Sequence, residues 1–178
     1  YPAGAGQLSA FLPTALFDGG PEQALKRLQD PGTRRQVIRY LNFGRSAFRQ
    51  SSWDDLFITG VSLAKNKGLE GKSIGQAADE AGKDPGTFVC DLLVEEEMRV
   101  GEKEVYGLER DVCDILCYPA HMVGSDSIFQ GGSPHPRAYG AFARFLGRYA
   151  RDLGLLRQEE MVRKMTSFPA QRLGLQDR

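Results

Sequence analysis

Residues 122–139, MVGSDSIFQGGSPHPRAY, hold the side chains best suited to chemistry. The run His121-Met122-Val123 reads as a short apolar strand that delivers Gly124, Ser125 and Asp126 at its carboxyl end. Parallel α/β sheets bind ligands outside that edge. A carboxylate there can take a proton from water, metal-bound water included, and return it to a leaving group. Further on, His135-Pro136-Arg137 stands in a Gly- and Pro-rich loop, and an arginine fork near such an aspartate suits a substrate carboxylate. An aspartate after a strand is also an ordinary turn or N-cap residue, so this pattern by itself names no reaction.

Other chemistries find less support. His121 and His135 are the only histidines, and no His-x-His or His-x-x-x-His pair offers a metal its usual ligands. No Gly-x-Ser-x-Gly elbow occurs, which counts against a serine hydrolase. GLEGK at 68–72 is too short for a phosphate loop, and Gly4-x-Gly6 lacks the rest of a dinucleotide fingerprint. Cys90, Cys113 and Cys117 are too few for a disulfide framework and read as reduced, buried thiols in a cytoplasmic setting.

The elements that must carry these residues follow from periodicity and capping. Residues 1–20 read as loop. Pro21 opens a short helix through Gln29, Asp30-Pro31-Gly32 stops it, and a second begins near Thr33 with Val37, Ile38 and Leu41 on one face. Arg34, Arg35 and Arg39 read as its solvated side. A strand is expected over 53–61 and another over 99–106, with a turn at 65–68. Ser73 with Gln76 resembles a capping box, and Asp84-Pro85 is an N-cap followed by proline at N1. The Glu95-Glu96-Glu97 run reads as solvated surface. Helices are expected over 108–117, 139–153 and 158–167, with a last turn from Pro169 towards Leu173. Strands alternating with helices predict an α/β fold with a parallel sheet, but three strands fall short of a full eight-fold barrel of about 250 residues.

Composition narrows the partners. The 178 residues carry 23 Lys plus Arg against 23 Asp plus Glu, a formal net charge of zero, which removes the basic excess a nucleic-acid binder needs. It argues equally against an anionic membrane surface, and no apolar run of about 18 residues spans a bilayer. Glycine, at 21 residues, exceeds its usual share of roughly 7% and points to many tight connections. The opening Tyr1-Pro2-Ala3-Gly4 has neither initiator methionine nor signal segment and reads as the interior of something longer.

Tyr1-Pro2, MVGSD at 122–126 and HPRAYGAFARFLGRY at 135–149 resemble the C-terminal part of the D-aminoacylase (N-acyl-D-amino-acid deacylase) family. GLERDVCDILCYP at 107–119 and KMTSFPAQRLGLQDR at 164–178 fit the same pattern in the same order. The resemblance covers essentially residues 1–178 and is sharpest from 107 onward. It implies the amidohydrolase superfamily and an α/β fold, the C-terminal portion of a metal-dependent (β/α)8 TIM-type barrel that is incomplete in this chain. The activity implied is hydrolysis of the amide of N-acyl-D-amino acids to a D-amino acid and a carboxylate. By motif match Asp126 is the acid/base carboxylate, Arg137 holds the substrate's α-carboxylate, Tyr1 lies in the substrate pocket and His135 shapes the loop. Zinc is the implied cofactor, its His and Cys ligands lying outside this segment. Residues 9–52 correspond to an insertion that covers the active site.

The family usually has a second tyrosine where Ala3 stands, which bears on the carboxylate contacts. It usually has glycine where Ser127 follows the aspartate, which bears on the backbone there. The implied partners are the small-molecule substrate and the remainder of the barrel or a homo-oligomer partner. Two other readings compete: a different amidohydrolase, such as a dipeptidase or cyclic-amide hydrolase, and a catalytically inactive structural or binding fragment.

Overall fold

The computed structural model describes residues 2–43 and 52–175. They form two compact units: a sheet unit of residues 3–43, 52–106 and 129–134, and a cleft unit of residues 2, 107–128 and 135–175.

The sheet unit holds three strands, β1 (Ala3–Gln7), β2 (Leu56–Gly60) and β3 (Gly101–Val105), in the order β1-β3-β2. Both pairings are antiparallel, which corrects the expected parallel sheet. The helices joining β2 to β3 are two, α3 (Ile74–Glu80) and α4 (Pro85–Glu95). A connection of this length, carrying two helices, lets the next strand enter in either sense, and here β3 runs antiparallel to both of its neighbours. β1 lies inside the stretch expected to be loop. Its AGAGQ sequence has little strand propensity, and the pairing with β3 supplies what propensity does not.

Both predicted helix starts are present. The Ser73 hydroxyl accepts the Gln76 N–H at 3.0 Å, and the Asp84 carboxylate accepts the Thr87 N–H at 3.0 Å. The helices α1 (Pro21–Gln29) and α2 (Pro31–Phe43) break at Asp30 as expected, Pro31 opening the second rather than only ending the first. Leu28, Leu41, Leu56, Ile58, Ile74 and Leu93 are fully buried members of one continuous core. The described part of the expected insertion, 9–43 and 52, contributes Leu12, Leu16, Leu28 and Leu41 to that core. The rest of it lies outside the described residues.

Two acidic and basic faces are less solvated than expected. Glu96 is 1% exposed, its carboxylate accepting the Ser62 N–H at 2.6 Å, the Leu63 N–H at 3.1 Å and the Asn66 amide at 2.7 Å. It binds the chain leaving β2, a tertiary role that no local charge pattern signals. Arg34 pairs with Asp91 on α4, while Lys65 pairs with Glu95.

The cleft unit is helical. It contains α5 (Glu109–Cys117), α6 (Arg137–Arg144) running on into a π-helical stretch (Phe145–Asp152), α7 (Gln158–Met165) and α8 (Ser167–Arg172). Leu116, Val123, Tyr149, Ala150 and Met161 form its buried core. Of the cysteines, Cys90 is buried in the sheet unit, Cys113 is half-buried and Cys117 exposed, so the expectation of three buried thiols fails at Cys117. Leu116 is the inward residue of that turn, and the next position rotates about 100° away from the core. Residues 121–123 form no strand, since no strand among the described residues lies alongside to share a ladder. The Val123 N–H instead donates to the Lys164 carbonyl on α7 at 3.0 Å. No helix among the described residues is long and apolar enough to cross a membrane.

Candidate active site

The cleft unit encloses a cavity of about 210 Å³ between α5, the segment 121–126 and α6 with its π-helical continuation. Val112, Ile115, Leu116 and Phe145 make its apolar wall, and Asp126, Arg137, His121 and Arg144 bring polar groups to it. A small apolar cavity with a few convergent polar groups is the usual form of a small-molecule site.

Asp126 and Arg137, far apart in sequence terms for a local contact, are brought together. An Arg137 terminal nitrogen lies 3.0 Å from Asp126 Oδ2, with the Asp126 side chain 85% exposed and that of Arg137 only 13%. Asp126 has φ +47°, the left-handed region, where aspartate is among the few tolerated non-glycine residues. Backbone held there clusters at functional sites. Arg137 starts α6, and its N–H donates to His135 Nδ1 at 3.0 Å, with His135 itself 2% exposed. His135 thus shapes the entry to α6 from below the surface. Tyr1 lies outside the described residues.

Two further polar residues of the cavity escape the sequence reading. Arg144 stands seven positions after Arg137, two helical turns on, so the spacing alone places both on one face. It donates to Glu109 at 2.9 Å and lies 5.5 Å from the Tyr149 ring centre. Burial raises the pKa of the Tyr149 hydroxyl, so it stays protonated at neutral pH. His121, read only as strand, lines the cavity, and its Nδ1 is buried with no hydrogen-bond partner among the described residues. Burial first, then the nearby Lys164 charge, lowers its pKa and favours the neutral ring.

Among the described residues no group of three or more His, Cys, Asp or Glu side chains could hold a metal ion. The residues present therefore do not by themselves fit the metal site that the family resemblance implies.

No family model matches the chain. Similar proteins do exist. Over 110 residues, 62% of this chain, it is 40% identical to a D-aminoacylase of Alcaligenes xylosoxydans xylosoxydans, and over 70 residues 47% identical to an N-acyl-D-glutamate deacylase of the same organism. A crystal structure of N-acyl-D-glutamate deacylase from Bordetella bronchiseptica, complexed with zinc and a phosphonate inhibitor, superposes over 98% of this chain with a TM-score of 0.65 at 26% identity. Over these stretches the chain resembles the D-aminoacylase family. It spans only 22% and 14% of the two curated relatives and 27% of that structure. The D-aminoacylase resemblance drawn from the motifs at 107–178 is thereby supported, and the mixed α/β character of the fold with it.

Proposed function

We propose that these residues are the C-terminal part of an amidohydrolase barrel that cleaves the amide of N-acyl-D-amino acids, releasing a D-amino acid and a carboxylate. The observation that carries this reading is the ion pair between Asp126 and Arg137 at the cavity, 3.0 Å apart, on a strained Asp126 backbone. Its support from outside is the set of relatives named for D-aminoacylase and deacylase activity.

In this reading water adds to the scissile carbonyl carbon and the C–N bond breaks. Asp126 accepts the proton that the attacking water loses and delivers it to the departing amine nitrogen. Arg137, already poised on a carboxylate, exchanges onto the substrate's α-carboxylate as a charge-assisted fork. His135 fixes where α6 begins and so where that fork points. Zinc is the metal of the complete protein, on ligands outside this segment. No step assigned to these residues runs through it.

The test uses the complete polypeptide. Asp126→Ala should cut turnover of an N-acetyl-D-amino acid by about 10³-fold while leaving secondary structure and metal content intact. Near-normal turnover in that variant removes Asp126 from the chemistry. A panel of N-acyl-D-, N-acyl-L- and cyclic amides run on the unaltered protein separates this activity from a dipeptidase or a cyclic-amide hydrolase.

A further inference from the structure

Among the described residues Lys164 is the one buried lysine or arginine. Its side chain is among the largest fully buried ones, 1% exposed, in the last turn of α7. A buried ammonium is costly unless its surroundings replace water. What replaces water here is peptide carbonyl and no carboxylate among the described residues: Nζ donates to the Tyr118 carbonyl at 2.7 Å and to the His121 carbonyl at 3.3 Å. The Lys164 carbonyl in turn accepts the Val123 N–H at 3.0 Å. The turn is closed on itself by the His121 N–H donating to the Tyr118 carbonyl at 3.0 Å. One residue therefore binds three positions of the segment 118–123, which no strand pairing holds.

That segment feeds the cavity. His121, whose carbonyl Lys164 holds, lines it with its ring, and Gly124, Ser125 and Asp126 follow directly. With no sheet ladder at 121–123, the path of the chain into Asp126 depends on these contacts to α7. We propose that Lys164 is a positioning residue for the deacylase reaction: its buried ammonium holds the turn at 118–121 and thereby sets where His121 and Asp126 stand in the cavity. This rests on the proposed function for its catalytic consequence, but the holding of the segment is independent of it. A packing role alone needs only the four-carbon stem. A holding role needs the charge and its donors, because a lysine head can reach two carbonyls that an apolar side chain leaves unsatisfied.

Lys164→Met in the complete protein separates the two. The stem is matched in volume, so the variant is expected to fold. Its amides over 118–126 should then exchange with deuterium about tenfold faster, with exchange over the π-helical stretch unchanged. Turnover of the N-acetyl-D-amino acid should drop at least about tenfold in kcat while KM moves less than about threefold, because a displaced acid/base harms the chemical step more than binding. Lys164→Gln, which keeps a neutral N–H donor group but not the charge, should fall between. Unchanged exchange over 118–126 overturns the proposal, as does a kcat within about threefold of the parent. A methionine variant that does not fold overturns it too, since Lys164 would then serve the fold and not the site. If the unaltered protein hydrolyses no N-acyl-D-amino acid, the proposed function fails, and the exchange comparison still decides whether Lys164 holds the segment.

Discussion

Each unit of this protein buries a charged residue, and each meets it with the opposite end of the peptide group. In the sheet unit the Glu96 carboxylate collects the N–H groups of Ser62 and Leu63. In the cleft unit the Lys164 ammonium collects the carbonyls of Tyr118 and His121. The first stands beside a sheet whose strands are paired and a core that includes Leu8, Leu56, Ile58 and Leu93. The second stands beside a segment with no strand partner among the described residues and a core of far fewer buried side chains. The same device serves two ends. Where a ladder already fixes the backbone, a buried charge adds stability to a turn. Where no ladder does, it decides the path of the chain into the candidate active site.

The difference can be broken or sharpened by experiment, all on the complete protein. Glu96→Ala leaves backbone donors without their acceptor and should cost about 3 kcal/mol in urea unfolding, with kcat unaltered in the folded fraction. A fall in kcat without a stability loss would erase the distinction between the units. Arg137→Ala should show the converse. Loss of one charge-assisted contact predicts a drop of about 10–100-fold in kcat/KM for substrates with a free α-carboxylate, and little change for amide-blocked ones. Equal losses on both substrates would rule out the carboxylate clamp. Asp84→Ala removes the N-cap of α4 and should lower stability by about 1 kcal/mol without affecting turnover, as read by thermal unfolding against initial rates. The smallest effect is chemical. Burial pushes the Cys90 thiol up to about 11, so at pH 8 it is protonated as well as covered. Iodoacetamide should therefore label exposed Cys117 first and reach Cys90 only in denaturant, a sequence that peptide mass spectrometry resolves. Early labelling of Cys90 would mean that the sheet unit opens readily.

How much was legible beforehand varies with the range of the interaction that decides each feature. The helix starts at Ser73 and Asp84 were legible because a cap is a contact between residues three apart in the chain. The helix stripes were legible for the same reason. β1 was not, since AGAGQ becomes a strand only by pairing with β3 about a hundred residues away. The antiparallel sense of the sheet was not legible, because alternation of elements does not show which strands pair, and β3 lies between β1 and β2. Glu96 was misread because three adjacent glutamates look alike until the turn after β2 selects one of them.

For the site, the sequence by itself determined the chemistry on offer: an aspartate and an arginine within one Gly- and Pro-rich segment, whose motifs also carry the family resemblance. Residue types and short spacings are covalent facts and need no fold to be read. Only the tertiary structure decided that Asp126 and Arg137 meet at 3.0 Å over a cavity lined by His121 and Arg144. Only it singled out Lys164, in an outwardly ordinary amphipathic helix, as the residue buried against the turn at 118–121. Burial and hydrogen-bond partners are properties of neighbours in space, and for Lys164 those neighbours lie more than forty positions away in sequence.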